Sequence, residues 1–330
     1  MPDKERRKWR ILLIGLFVVI AIGGFVASLS KGAVVVSHSE IINALFSHGV
    51  TGNQSQIIWN IRLPRALVAI LVGIHLSLAG ALLQGVMRNP LADPHIIGVS
   101  SGAGLAGVII LVLFPHQEYL VTPVAFLGAL AAAGLIYLLA WKGSIKPTRI
   151  ILAGVAVSAF LNAGISSLLV FFSDRVHGAL MWMVGGLAAR SWPHVELLWP
   201  YTLVGCLLAL TAASRLNLLS LGDEMARGLG IRVEASRLWL TALAALLAAS
   251  AVSVVGLLGF VGLIVPHGAR LLVGSDYRYL LPASACLGAA VMTWSDLAAR
   301  TLFSPVEIPV GIIMALAGAP FFLYLLRREA

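Results

Sequence analysis

Charge is scarce in this chain. Only 11% of its 330 residues are Asp, Glu, Lys or Arg, against roughly 25% in soluble domains. Acids are the rarer sign, with 14 Asp and Glu in all, and the apolar stretches carry no recurrent acid series of the kind a proton relay needs. Cysteine is down to two, Cys206 and Cys286, both deep in apolar runs. That excludes a disulfide framework and a zinc-type spacing and leaves packing as their role. There is no GxxxxGK[ST] loop, no HExxH and no CxxC, so the chain does not cradle nucleotide phosphates in that manner and carries no such metal or redox motif. If it pumps, something else supplies the work.

What is present in quantity is apolar sequence. Hydrophobic residues make up 59% and glycines number 33. A water-soluble domain of this size has too much surface to hide that load, so lipid is the expected solvent. The small residues fit that reading, because they let membrane helices approach where lipid supplies no hydrophobic drive. Apolar runs of spanning length lie near 11–29, 64–87, 96–114, 122–141, 150–172, 195–213, 238–256, 258–274, 280–298 and 308–326, each close to the ~20 residues that a bilayer core requires. The fold class expected is all-α integral membrane with about ten transmembrane helices, as a single domain over 1–330. The first run lacks a small-x-small cleavage site and reads as a retained span.

The net charge of +9 suggests nucleic acid until its placement is considered. Lys4, Arg6, Arg7, Lys8 and Arg10 precede the first run, and Arg327 and Arg328 follow the last. Ten spans with both termini in the cytoplasm put about 17 of the 23 Lys and Arg inside, a positive-inside bias and not a phosphate-binding face. Between the fifth and sixth runs, residues 173–194 are too polar and Gly-broken to span. They predict a short helix at the outer surface with Trp182 and Trp192 at headgroup level.

Four segments break the apolar background. Arg62-Leu-Pro-Arg65 reads either as interface snorkelling ahead of a Pro-started helix or as a cationic spot for carboxylates of an external partner. Residues 84–94, Gln-Gly-Val-Met-Arg-Asn-Pro-Leu-Ala-Asp-Pro, predict a tight cytoplasmic turn, because Pro90 and Pro94 cannot continue a helix. The stretch at about 214–237 predicts a cytoplasmic loop holding a short helix. There Gly222 or Ser220 serves as cap, Asp223 and Glu224 sit in the first turn and Gly228 ends it. Leu221, Met225 and Leu229 at helical spacing suit either insertion into a partner or packing on the chain itself. In the fourth segment, 259–270, Pro266 falls inside a span. Near the outer end of the ninth run, Asp296 and Arg300 are four apart and share a helix face.

RLPR (62–65), GALLQGVMRNPLADP (80–94), SLGDEMARGLGI (220–231), GFVGLIVPHGAR (259–270) and PVGIIMALAGAPFFLYLL (309–326), in that order, resemble the FecCD permeases of type II ABC importers, which carry ferric siderophores, haem or vitamin B12. The resemblance implies the ABC type II importer permease fold. It implies a second permease copy, identical or a paralogue, with the path along the interface, two ATPase subunits below, and an extracytoplasmic substrate-binding protein above. Arg62, Arg65 and Arg300 then match binding-protein docking positions. Asn89 and Leu91, with Pro147 and Thr148 at the start of the fifth span, match a cytoplasmic gate, Pro147 departing from the small polar residue usual there. Leu221, Gly222, Asp223, Glu224, Met225, Ala226, Arg227, Gly228 and Leu229 match the element that couples to the ATPase. No cofactor is expected on this chain, ATP and Mg belonging to the ATPase. His75 stands where the family has small or apolar residues, and is either an iron ligand for haem or a histidine hydrogen-bonded within the bundle. Competing classes are an ion-coupled carrier, which the missing acid pairs disfavour, and a membrane enzyme, which lacks a nucleophile–base or metal constellation.

Overall fold

The computed structural model describes residues 3–32, 36, 41, 44, 53–141 and 147–329. Within them the chain is mostly helical, with no strand. Lipid offers no partner to a free backbone amide, so each crossing segment satisfies its own polar groups as a helix.

The apolar helices are α1 (Asp3–Ser30), α2 (Leu63–Met87), α3 (Val99–Leu113), α4 (Val121–Ala140), α5 (Pro147–Phe171), α7 (Trp192–Ser220), α9 (Val233–Val255), α10 (Val261–Val273), α11 (Tyr277–Thr301) and α12 (Val310–Glu329), with the short α6 (Val176–Val184) and α8 (Asp223–Gly228) between them. Seven are long and apolar enough to cross a bilayer, and α3, α10 and α12 are shorter apolar helices. Each coincides with one of the ten runs. The boundary between the runs 238–256 and 258–274 is real: α9 stops at Val255, and Gly256 (φ 82) and Phe260 (φ 67) turn the chain before α10 starts. A Cβ on Gly256 would lie 2.0 Å from the Trp182 carbonyl oxygen, so only glycine fits.

Two expectations change. The loop placed at about 214–237 is shorter, because α7 continues to Ser220 and α9 starts at Val233. Buried Leu216 and Leu219 hold that last turn of α7 to the bundle, and Arg215 lies over the Trp239 ring of α9 at 5.7 Å. The short helix α6 exists, but Trp182 is not a headgroup anchor. Its ring turns inward onto α3, where a Cβ on Gly107 would come within 2.7 Å of it. Trp192 packs against Trp59, their rings tilted by 42° with centroids 5.4 Å apart, and donates its indole N–H to the Trp59 carbonyl at 2.9 Å.

α2 and α9 form the centre, packed against each other and, for α2, against α7, α10 and α11. Small residues set these distances. A Cβ on Gly80 would meet the Gly262 carbonyl oxygen at 1.8 Å, one on Gly73 the Gly288 oxygen at 2.2 Å, and one on Gly102 the Gly128 oxygen at 2.3 Å. The outward faces stay apolar: Leu138, Phe160 and Leu316 are exposed, as suits lipid and not water.

The helices leave two polar ends. One holds the close of α2, the α7–α9 connection and the start of α11, and is called the basic end here. There Asn217 Nδ2 donates to Asp276 at 2.8 Å and its Oδ1 accepts from the Tyr277 amide at 2.9 Å, tying α7 to α11. Hydrogen bonds from Arg278, against the upward push of partial burial and helped by Asn217, hold the Asp276 carboxyl down at about 2. The opposite end gathers the close of α1, the start of α2 and the close of α11.

Candidate functional site

At the basic end, α2 terminates on Arg88 in the left-handed region (φ 50, ψ 38). The Arg88 amide donates to Gln84 and Gly85 carbonyls and the Asn89 amide to Gln84 at 3.1 Å, closing the helix in the αL manner. Asn89 Oδ1 then accepts from the Leu91 amide at 2.9 Å, and the Asn89 carbonyl from the Ala92 amide at 3.1 Å. That side chain mimics a backbone turn, which is why Asn precedes Pro here. Asp93 caps the 3-10 turn Pro94–Ile97 by accepting from the His95 amide at 2.9 Å. Asn89 and Leu91 are half-buried on this turn. α5 starts on Pro147, a residue suited to a first helical position, with Thr148 exposed beside it. A Cβ on Gly154 of α5 would lie 2.0 Å from the Ile96 carbonyl oxygen, so the first turns of α5 rest on the 94–97 turn. The expected gate residues therefore share one end and neighbouring elements.

Beside them stands α8. Gly222 (φ 107) precedes it, and Ser220 does not cap it because its hydroxyl donates to the Asn217 carbonyl at the end of α7. Asp223 and Glu224 occupy the positive end of the dipole. Only Ala226 is buried, while Leu221, Met225 and Leu229 are 52%, 57% and 57% exposed. The self-packed alternative is thereby excluded: this apolar stripe faces away from the chain. Asp223 is held by Arg237 at 2.8 Å and Arg88 at 3.4 Å, and Arg227 by Glu234 at 3.2 Å.

The opposite end holds the three expected docking arginines, and they are not snorkelling. Arg62, Arg65 and Arg300 are 5%, 8% and 7% exposed. Arg62 donates to the Leu29 and Ser30 carbonyls at 2.7 and 3.1 Å, and Arg300 to the Ser28 carbonyl at 3.2 Å. Arg65 grips both oxygens of Asp296 at 2.9–3.1 Å and reaches Glu307 at 2.8 Å, while Arg300 Nε lies 3.2 Å from Asp296. Asp296 is 1% exposed in its side chain and Glu307 44%. The Asp296–Arg300 pair follows from their spacing. The Arg65 contacts were missed, although a lone acid in an apolar run signals that a partner must come from another helix.

His75 is fully buried, with Nε2 2.6 Å from Thr202 Oγ1 and Nδ1 2.8 Å from Ser250 Oγ. Both ring nitrogens are engaged by hydroxyls, which leaves neither open to iron. Among the described residues no cluster of His, Cys, Asp or Glu is placed to hold a metal. A cavity of about 1080 Å3 lies between α4, α6, α7 and α9, lined by Phe126, Trp182, Arg190, Tyr201, Ser250 and Ser253, with the Arg65–Glu307 pair on its wall. Two strings invite a chemical reading, G-V-S-S-G at 98–102 and G-A-G-L-A-G at 102–107. Neither has its context. No strand precedes them, Ser100, the serine of the first string, is 4% exposed within α3 with no base hydrogen-bonded to it, and Gly102 and Gly107 are helix contacts against Gly128 and Trp182.

The FecCD transport family model matches residues 16–328. The iron(III)-citrate import permease YfmE of Bacillus subtilis is 43% identical over 327 residues, covering 99% of this chain and 98% of that protein. The cobalamin import permease BtuC of Halobacterium salinarum is 45% identical over 280 residues, 84% of this chain and 75% of its own length. The hemin permease HmuU of Yersinia pestis is 38% identical over 325 residues, 96% and 94% of the two chains. A solved structure described as an inward-facing ABC transporter of metal-chelate type superposes with a TM-score of 0.86 at 33% identity, over 96% of this chain and 99% of that one. With ten apolar helices among the described residues, the chain belongs to the FecCD transport family as a multi-pass permease subunit of an ABC transporter, a transport component.

Proposed function

We propose that this permease passes an iron(III) chelate of the siderophore class inward across a bacterial cytoplasmic membrane, by alternating access at the interface of two permease copies. The observation that carries the reading is α8: a capped helix with an apolar stripe offered outward at the basic end, in a chain related over nearly its full length to an iron(III)-citrate permease. The basic end, with both termini, lies in the cytoplasm, where the Lys and Arg excess belongs. Two ATPase subunits carrying ATP and Mg each receive one α8, from Leu221 to Leu229. Asn89, Leu91, Pro147 and Thr148 form the cytoplasmic gate. The exposed faces of α5 and α12 meet lipid or the second copy. This chain holds no cofactor and no nucleic acid. A binding protein docks at the opposite end on Arg62, Arg65 and Arg300, whose guanidiniums exchange partners within the chain for carboxylates of the docked protein. Haem and cobalamin are the alternative cargoes, since relatives named for both exist. ATP then shifts the balance between gate states by favouring one of them.

The test is uptake of labelled ferric siderophore, ferric citrate, haem and cobalamin into vesicles holding the permease, its ATPase and its binding protein. ATP-dependent accumulation of an iron chelate supports the reading. Accumulation of haem or cobalamin alone moves the substrate to that alternative, and uptake driven by an ion gradient without ATP overturns it. A second expectation follows from the stripe on α8. Met225→Asp places a charge where an apolar anchor is expected to be buried by the ATPase. It should cost about 2 kcal/mol, roughly thirtyfold in affinity, read as loss of co-purified ATPase while the permease alone stays monodisperse.

A further inference from the structure

Arg88 has a side chain that its own turn does not use. It sits in the left-handed region at φ 50, where glycine is free of strain and a residue with a Cβ is not. Every hydrogen bond that shapes the turn comes from backbone amides or from Asn89. The guanidinium instead crosses to α8, with Nη2 3.4 Å from Asp223 Oδ1. Gly222 lies alongside it, with the position of a Cβ there 3.5 Å from Arg88 Nη1, an ordinary contact distance. Asp223 also has a second, firmer hold, because Arg237 of α9 binds the same oxygen at 2.8 Å and its side chain is only 4% exposed, against 40% for Arg88. One arm of the pair is anchored in the central helices and the other belongs to the gate turn.

We infer that Arg88 is a positioning residue that carries the place of α8 to the gate. A displacement of α8 moves Asp223, Asp223 draws Arg88, and Arg88 moves the turn from Asn89 to Leu91 that follows it in the chain. An ion pair this exposed adds little to stability, which suits a contact that is remade in each cycle. The inference rests on the import reading of α8 and of the gate turn.

Arg88→Gly separates this role from a structural one, because it removes the link and the backbone strain together. In the complex with ATPase and binding protein, the variant should unfold at the same temperature as the parent or higher and keep its ATPase. Chelate imported per ATP hydrolysed should fall about tenfold, while Arg88→Lys, which keeps the charge, retains at least half. The second readout needs no cargo. In a Leu91→Cys background, maleimide labelling at position 91 should change when ATP and vanadate trap the ATPase, and Arg88→Gly should abolish that change. An unchanged chelate-to-ATP ratio together with an intact labelling change overturns the link. Failure of the unaltered complex to import any chelate with ATP counts against the import reading alone, and the labelling result still decides the link.

Discussion

Asp296→Asn should destabilise the permease by about 3–5 kcal/mol, the cost of removing one partner from a buried ion pair. The carboxylate is 1% exposed and stands between two guanidiniums that are themselves almost fully covered. With Asn in its place, Arg300 keeps the Ser28 carbonyl and Arg65 keeps Glu307, but two buried positive charges face each other with no charge between them. Thermal unfolding of purified protein in detergent reads the effect as a large fall in midpoint and a low yield of folded material. Glu307→Gln is the matched comparison. That carboxylate is 44% exposed, water replaces most of what it gives Arg65, and the expected loss is about 0–1 kcal/mol. Equal losses in the two variants would mean that Asp296 is not the keystone of this end.

Gly80→Ala should be as damaging by a different route. The new methyl carbon would fall 1.8 Å from the Gly262 carbonyl oxygen. The obstacle is backbone, so no rotamer change relieves it and α2 and α10 must separate. Overpacking of this kind costs about 1–3 kcal/mol and sometimes more. The separation also opens the contacts on either side, which raises the expected loss toward the top of that range. Gly134→Ala is the control: nothing lies within 4 Å of a Cβ there. A mid-helix Gly→Ala change in open space is worth about 0.5–1 kcal/mol in favour of the alanine. The two variants should therefore move the unfolding midpoint in opposite directions. A Gly80→Ala protein that unfolds at the parent temperature would show that the α2–α10 crossing is looser than its geometry.

Much of this was legible in the sequence, for identifiable reasons. Helix number and place follow from run length, because the bilayer sets one length for every span. The start of α8 was legible because Asp223 and Glu224 act within one turn of where they stand. Its stop lies two residues later than expected: Gly228 is the last helical residue, and the left-handed glycine that closes the helix is Gly230 (φ 83), whose amide donates to the Arg227 carbonyl. The end of α7 was not, since Ser214 to Ser220 looks polar enough for a loop and only the burial of Leu216 and Leu219 shows that it packs. The arginine cluster was half legible. Spacing shows that Asp296 and Arg300 share a face, but Arg65 lies 231 positions from Asp296, and only the tertiary fold brings them together. Trp182 misled for the same reason: a tryptophan near a span end is a headgroup residue only if its ring points outward, and the gap over Gly107 draws this one in.

The glycine crossings carry a consequence for how such a protein can diverge. When two side chains touch, growth of one can be matched by shrinkage of the other, and a pair of positions drifts together. At Gly80, Gly73 and Gly102 the opposing group is a carbonyl oxygen, which every residue type brings unchanged. No second-site change restores the fit, so these spacings cannot be renegotiated residue by residue. A lineage that changes its cargo is left to revise the surfaces the frame presents and to inherit the frame whole.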